Sequence, residues 1–197
     1  RLVDDLENTY MNAFGSMALL LEAKDPYTQG HTERVTGLCE DLGRALSLNE
    51  HDLKSLKMGA RLHDVGKMGI HESILNKPGR LSEEEWLIVR EHPVVADRVL
   101  APIMFLQGAR PIVRGHHERL DGRGYPDALC GGEIPLCSRV LAVCDTFDAM
   151  ATNRPYRNAL VTGEILGEID RCKGGQFDPE IADSFIGMMK DGEYDRY

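Results

Sequence analysis

Apolar side chains recur at helical spacing along nearly the whole chain, and no stretch of useful length alternates apolar with polar residues. A chain patterned this way buries its core by packing helix on helix, so the expected class is all-α. Its 197 residues suit one domain, or one with a short appendage, and suffice for a substantial core. Over residues 1–24 the pattern falls on Leu2, Leu6, Tyr10, Phe14, Met17, Leu20 and Leu21. This is either a core helix or the tail of a linker helix from an upstream regulatory domain, and the second is favoured. Asp25-Pro26 ends it. Further helices are expected near 28–46, from 50 to about His63, and over 82–100, 104–117, 138–152, 162–172 and 179–190. Between them, residues 118–137 are rich in glycine with two prolines, a long loop of the kind that carries function.

Within a helical frame, His63-Asp64-Val65-Gly66-Lys67 stands out. Adjacent imidazole and carboxylate each offer a metal ligand, and a carboxylate can bridge two ions. Gly66 permits a sharp turn behind the pair, and Lys67 can point back toward a bound anion. A helix ending in a solvated His-Asp pair is the plainer alternative. Five histidines weigh against it: His31, His63, His92 and the pair His116-His117 all fall in or beside expected helices. With Asp64 and Asp145 they make seven candidate ligands. That is too many for one ion and suits two, bridged by a carboxylate and a solvent oxygen, ~3.5–4 Å apart. Imidazole and carboxylate without thiolate suit iron, manganese, zinc or nickel. His51 and His71 read as bystanders.

Composition narrows the ligand class. A net charge of -9 argues against nucleic-acid binding, which wants a basic face, but not against a small phosphorylated ligand reached through metal ions. Cys39, Cys130, Cys137, Cys144 and Cys172 are an odd, scattered set without a CxxC pair, as in a reduced, cytoplasmic protein. No apolar run approaches the length of a membrane span, and no signal peptide is visible. The start at Arg1 suggests an excised piece.

Two further clusters bear on the ligand. In His116-His117-Glu118-Arg119-Leu120-Asp121-Gly122-Arg123-Gly124-Tyr125-Pro126, the glycines open special backbone geometry and Tyr125 is a flat ring on a stiffened turn. It can stack on a nucleobase or simply pack. Asp145 and Asp148 share a helix face, so Asp148 either orients a ligand or pairs with an arginine. Arg154 and Arg157 flank Pro155 as two guanidiniums suited to phosphate, or to surface ion pairs.

Taken together these residues resemble the HD-GYP family, the cyclic-di-GMP phosphodiesterase branch of the HD phosphohydrolases. The matching pieces are DPYTQGHTERV (25–35), HDVGK (63–67), HP (92–93), HHERLDGRGYP (116–126), DTFDAMATNRPYR (145–157) and GGQFDPEIADSF (174–185). HD alone is a loose motif, but the ordered series is specific and spans most of residues 25–197. The resemblance implies an HD-domain helical bundle with a glycine-rich GYP loop. It implies His31, His63, Asp64, His92, His116, His117 and Asp145 as metal ligands, with Asp64 bridging. Lys67 would contact the scissile phosphate, and Tyr125, Arg154 and Arg157 would lie in the substrate cleft. The family often has lysine at the position of Arg157. His63, Asp64 and Lys67 would carry the chemistry, hydrolysis of cyclic-di-GMP to linear pGpG by a metal-bridging hydroxide, with iron or manganese expected. Some relatives hold a third metal through a glutamate where this chain has Tyr27. Two metals are therefore expected here, and further hydrolysis of pGpG to GMP is in doubt. Another cyclic dinucleotide, another nucleotide phosphoester, or a non-catalytic regulatory module are the alternatives. Expected partners are a diguanylate cyclase (GGDEF) domain at the GYP loop, an upstream receiver or sensor domain, and a second copy in a homodimer.

Overall fold

The structure, a computed structural model, describes residues 9–10, 13–16, 30–153 and 158–190. Among them the backbone is helical, and extended pairing is limited to isolated bridges, Asp121 with Cys130 and Lys173 with Phe177. Helix α1 is His31–Ala45, α2 Glu50–Leu62 and α3 the single turn Glu72–Leu75. Helices α4 (Glu83–Arg90), α5 (His92–Leu100) and α6 (Arg110–Gly115) follow. Helices α7 (Leu136–Ala151), α8 (Thr162–Arg171) and α9 (Pro179–Lys190) close the chain. Most of the expected N-terminal helix lies outside the described residues, as do Tyr27, Arg154 and Arg157; residues 9–10 and 13–16 are helical. No described helix is long and apolar enough to cross a membrane.

Helix α2 is the pivot. Asn49 starts it by accepting the Asp52 N–H at 2.9 Å. Leu56 and Ala60 on one face join a core built with Leu38 and Leu42 of α1, Phe147 of α7, Ile165 of α8 and Phe185 of α9. Phe147 and Phe185 meet edge to face at 5.2 Å. Met58 and Leu62, on another face, join a second core with Ala96 and Leu100 of α5 and Val113 of α6. Each large side chain fully buried in this way contributes about 1.5–3 kcal/mol. Helix α2 thus contributes to both cores and ends at His63.

The expected helix over 82–100 is in fact two. Its start is as read: Ser82 and Glu85 form a reciprocal capping box. At Glu91 it breaks into α4 and α5, because Pro93 in the first turn of α5 has no N–H to give the Val89 carbonyl and its ring crowds that position. The expected helix over 104–117 likewise divides, into a 3-10 turn at Met104–Leu106 and α6, which has Pro111 in its first turn. The loop from Glu118 is shorter than expected, since a 3-10 turn at Gly131–Glu133 and the start of α7 at Leu136 take up its end.

Candidate metal centre and cleft

Three histidines reach the site by the same device. A helix leaves its last four carbonyls without internal partners. His63 follows the last residue of α2, His116 that of α6, and His92 stands just past the break that ends α4. Each turns its Nδ1–H back onto the carbonyl three residues earlier: His63 to Ala60 at 2.7 Å, His92 to Val89 at 2.7 Å, His116 to Val113 at 2.6 Å. The proline break therefore does two things, ending α4 and leaving the Val89 carbonyl as the acceptor that aims His92. With Nδ1 protonated, each Nε2 presents a bare lone pair to the interior.

Those lone pairs converge. His92 and His116 face each other Nε2 to Nε2 at 3.3 Å, and His31 and His63 do so at 3.4 Å. Two sets of three donors result, His31, His63 and Asp64 in one and His92, His116 and His117 in the other, each set within 4.8 Å. Asp64 spans them: Oδ2 lies 3.5 Å from His63 Nε2 and Oδ1 3.5 Å from His92 Nε2. Asp145, on α7, closes the first set, with Oδ1 3.3 Å from His31 Nε2 and 4.0 Å from His63 Nε2.

The arrangement fits metal ions on its own chemistry. Asp64 Oδ1 is buried without a hydrogen-bond partner, a costly state for a carboxylate unless a cation completes it. Bare imidazole lone pairs at 3.3 Å cannot hydrogen-bond to each other, but both can ligate. Carbonyl or carboxylate partners on the far ring nitrogens are the usual support of metal-bound histidine.

Protonation states agree for His92, His116, His117 and the two carboxylates, whereas His31 must give up a proton to ligate. Burial pulls His92 down to about 3 and His117 to about 4, and holds His116 well below the ordinary imidazole range. Burial opposes ionisation of Asp64, yet Lys67, His63 and His92 keep its carboxyl well below the usual range. Asp145 is held low against burial by its bond to His31. Burial would also lower His31, but Asp145 and Asp148 outweigh it and raise it to about 9.

These shifts set a pH dependence for the metal-free protein. His92 and His117 take up protons on unfolding anywhere below 6.5, so their neutral burial destabilises the fold increasingly as pH falls from 6.5 toward 4. His31 acts in the opposite sense. Its contribution is complete below 6.5 and is lost as pH rises through about 9. Thermal melts in chelator should peak near neutrality and fall by roughly 5–10 °C toward pH 4.5; a flat acid limb would contradict the neutral, buried imidazoles.

Of the remaining expected residues, Lys67 bonds Asp64 Oδ2 at 2.6 Å and lines the cleft. Asp148 accepts from His31 Nδ1 at 2.7 Å and also takes a forked pair of bonds from Arg34, at 2.6 and 3.0 Å. It therefore meets both partners open to it, the histidine and an arginine. Tyr125 does not present a free ring: it stacks on His117 at 4.7 Å, with the Arg90 guanidinium 5.3 Å from its centroid. His51 and His71 are exposed bystanders, His71 accepting the Ser73 N–H at the start of α3. Gly66 serves the site by close approach: a Cβ there would lie 2.0 Å from the His92 carbonyl oxygen. Gly122 does have a left-handed φ of 73°, whereas Gly124 is needed for its approach to the backbone of Glu118 and Arg119.

Two residues went unread in the sequence. Arg34, three positions after His31 on the same helix face, locks Asp148. Glu118 is buried and holds the GYP loop by accepting the Asp127 N–H at 2.7 Å and the Leu129 N–H at 3.1 Å. An acid directly after a paired-histidine ligand was the available signal.

The centre opens into a cleft of about 960 Å³, lined by His31, Asp64, His92 and Asp145 and also by Lys77, Arg80 and Trp86. That is ample for a dinucleotide-sized ligand.

The sequence matches the family described as HD domain over residues 16–181. It is 38% identical over 177 residues to a "Cyclic di-GMP phosphodiesterase" of Thermotoga maritima, covering 88% of this chain and 48% of that protein. It is 36% identical over 179 residues to "3'3'-cGAMP-specific phosphodiesterase 3" of Vibrio cholerae, covering 89% of this chain and 38% of that protein. The chain thus spans about half the length, or less, of these relatives. Among solved structures, the HDG"Y"P protein Bd1817 of Bdellovibrio bacteriovorus has the same fold, with a TM-score of 0.70 at 17% identity over 93% of this chain and 63% of that one. The chain belongs to the HD-domain family and, by its motif series and these relatives, to the HD-GYP branch.

Proposed function

We propose that this domain is a two-metal phosphodiesterase that opens a cyclic dinucleotide, cyclic-di-GMP foremost, to its linear form. The observation that carries the reading is Asp64, whose Oδ2 lies beside His63 in the set it forms with His31 and whose Oδ1 reaches His92 in the set with His116 and His117. Relatives bearing the names of cyclic-dinucleotide phosphodiesterases support the substrate class. The proposed ligands are His31, His63, Asp64 and Asp145 around one ion and Asp64, His92, His116 and His117 around the other. Iron or manganese is preferred for this nitrogen and oxygen set, with nickel or zinc less so. Divalent ions there would lower the pKa of a water to roughly 7 and neutralise charge on the phosphate.

The side chains do the rest. The ammonium of Lys67, held by Asp64, offers positive charge to a phosphate entering the cleft. Burial pushes the Tyr125 phenol up, so its hydroxyl stays a neutral donor at the cleft wall. Asp148, clamped by Arg34, fixes the ring of His31 so that Nε2 points at the first metal position. Asp148→Asn should lower metal affinity about 10–100-fold without unfolding the chain, as read by competition with a chromophoric chelator.

Product analysis tests the reading. The protein, reconstituted anaerobically with iron(II) or manganese(II), should convert cyclic-di-GMP to pGpG. With Tyr27 in place of a third-metal glutamate, pGpG should accumulate. A metallated protein that binds cyclic-di-GMP without cleaving it would overturn the proposal. The relative named for 3'3'-cGAMP favours that nucleotide as the second substrate to assay.

A further inference from the structure

We propose that Trp86 and Arg90 of α4 form a guanine-reading subsite at the edge of the cleft, Trp86 stacking on a base and Arg90, which lines the smaller pocket sharing His117 and Tyr125 with the cleft, holding the O6/N7 edge of guanine. The assignment rests on the cyclic-dinucleotide reading above and adds the residues that choose the base.

Helix α4, like the single turn α3, lies outside the core. None of its residues is buried, and Trp86, Leu87 and Ile88 are 47%, 64% and 46% exposed. Burial in the core therefore does not explain a tryptophan here. Trp86 lines the cleft that also contains Asp64 and Asp145, and the part of its ring not covered by the Arg90 guanidinium is available to whatever enters. Stacking on such a ring is sequence-tolerant, because every base has a π face; it supplies affinity without choosing among bases.

Arg90 supplies the choice. Its guanidinium carbon lies 5.7 Å from the Trp86 ring centroid and 5.3 Å from that of Tyr125. Among the described residues it has no carboxylate partner, whereas Arg34, Arg110, Arg114, Arg119 and Arg139 each bond an aspartate. In a chain of net charge -9, such an arginine between two rings is a planar donor fork held in reserve. Guanine offers two acceptors on one edge, O6 and N7, which a guanidinium fork meets in pairs. Adenine puts an amino donor where guanine has O6, so the same fork faces a donor. The competing account gives Arg90 only the task of a basic residue at the end of α4. Arg90→Lys separates the two, keeping the charge and removing the fork.

Trp86 is the only tryptophan of the chain, so tryptophan fluorescence reports this position alone. In chelator, where the proposed metal-dependent cleavage is stopped, cyclic-di-GMP should quench it. In the metal-loaded enzyme, the preference for guanine is the KM for cyclic-di-GMP set against the inhibition constant of cyclic-di-AMP. Arg90→Lys and Arg90→Ala should each reduce that preference at least about tenfold. Trp86→Ala should weaken both nucleotides together, leaving their ratio unchanged. If cyclic-di-GMP is cleaved but the preference survives both Arg90 variants, this assignment fails and the phosphodiesterase reading stands. If the wild type neither binds nor cleaves a cyclic dinucleotide, both fail.

Discussion

Asp64→Ala is expected to reduce cyclic-di-GMP turnover by at least roughly a thousandfold, or about 4 kcal/mol of barrier. The geometry makes this the most severe single change at the centre. Asp64 reaches both donor sets, and its removal leaves His92, His116 and His117 without a carboxylate partner and His31 and His63 with Asp145 as theirs. Metal content should fall from about two ions per chain to one or fewer. The fold should survive. In the metal-free protein Asp64 Oδ1 is a buried acceptor without a hydrogen bond, so deleting it removes a desolvation cost together with the ion pair to Lys67. Melts in chelator should thus differ little between wild type and variant, while melts with manganese should diverge, since metal stabilises only the form that binds it. Equal metal stabilisation of both proteins would contradict the bridging role.

Gly66→Ala is expected to be the most damaging change to the fold for its size. A Cβ at this position would lie 2.0 Å from the His92 carbonyl oxygen and 2.9 Å from the Ala96 amide nitrogen, both main-chain atoms of α5. Neither can rotate away. Helix α5 would have to withdraw from the turn after Asp64, carrying His92 out of its ligand set and opening the core around Leu62, Ala96 and Leu100. A loss of about 4 kcal/mol or more follows, or roughly 8–16 °C in Tm for a chain of this length. Gly69→Ala is the control: nothing lies within 4 Å of its Cβ position, and it should melt near wild type. Equal melting of the two variants would show that the close approach is not what Gly66 is for.

How much of this the sequence could reveal varied with the range of the interaction. The all-α class and the helices around Leu38, Leu56 and Phe147 were legible because burial on one face leaves a local period. The motif series named the residues that converge, since spacing along helices survives without knowledge of how they pack. The split at Glu91 was hidden because Trp86, Val89 and His92 keep helical spacing across it, although Pro93 announces the break. Gly66 was read as a conformational need, yet its reason is α5 pressed against it, a contact no local pattern displays. Arg34 and Asp148 lie 114 positions apart and meet only when α1 packs on α7. The sequence left Tyr125 open between stacking on a base and packing; its neighbours are His117 and Arg90, in the loop that Glu118 holds. Arg154, Arg157 and Tyr27 lie outside the described residues.

The most direct test of the two-metal account is the metal stoichiometry of the active protein. Wild type reconstituted with manganese(II), freed of excess ion by gel filtration, should retain about two ions per chain and should linearise cyclic-di-GMP in proportion to the second ion bound. Full activity with a single ion per chain, or two ions retained with no cleavage of any cyclic dinucleotide, would contradict it.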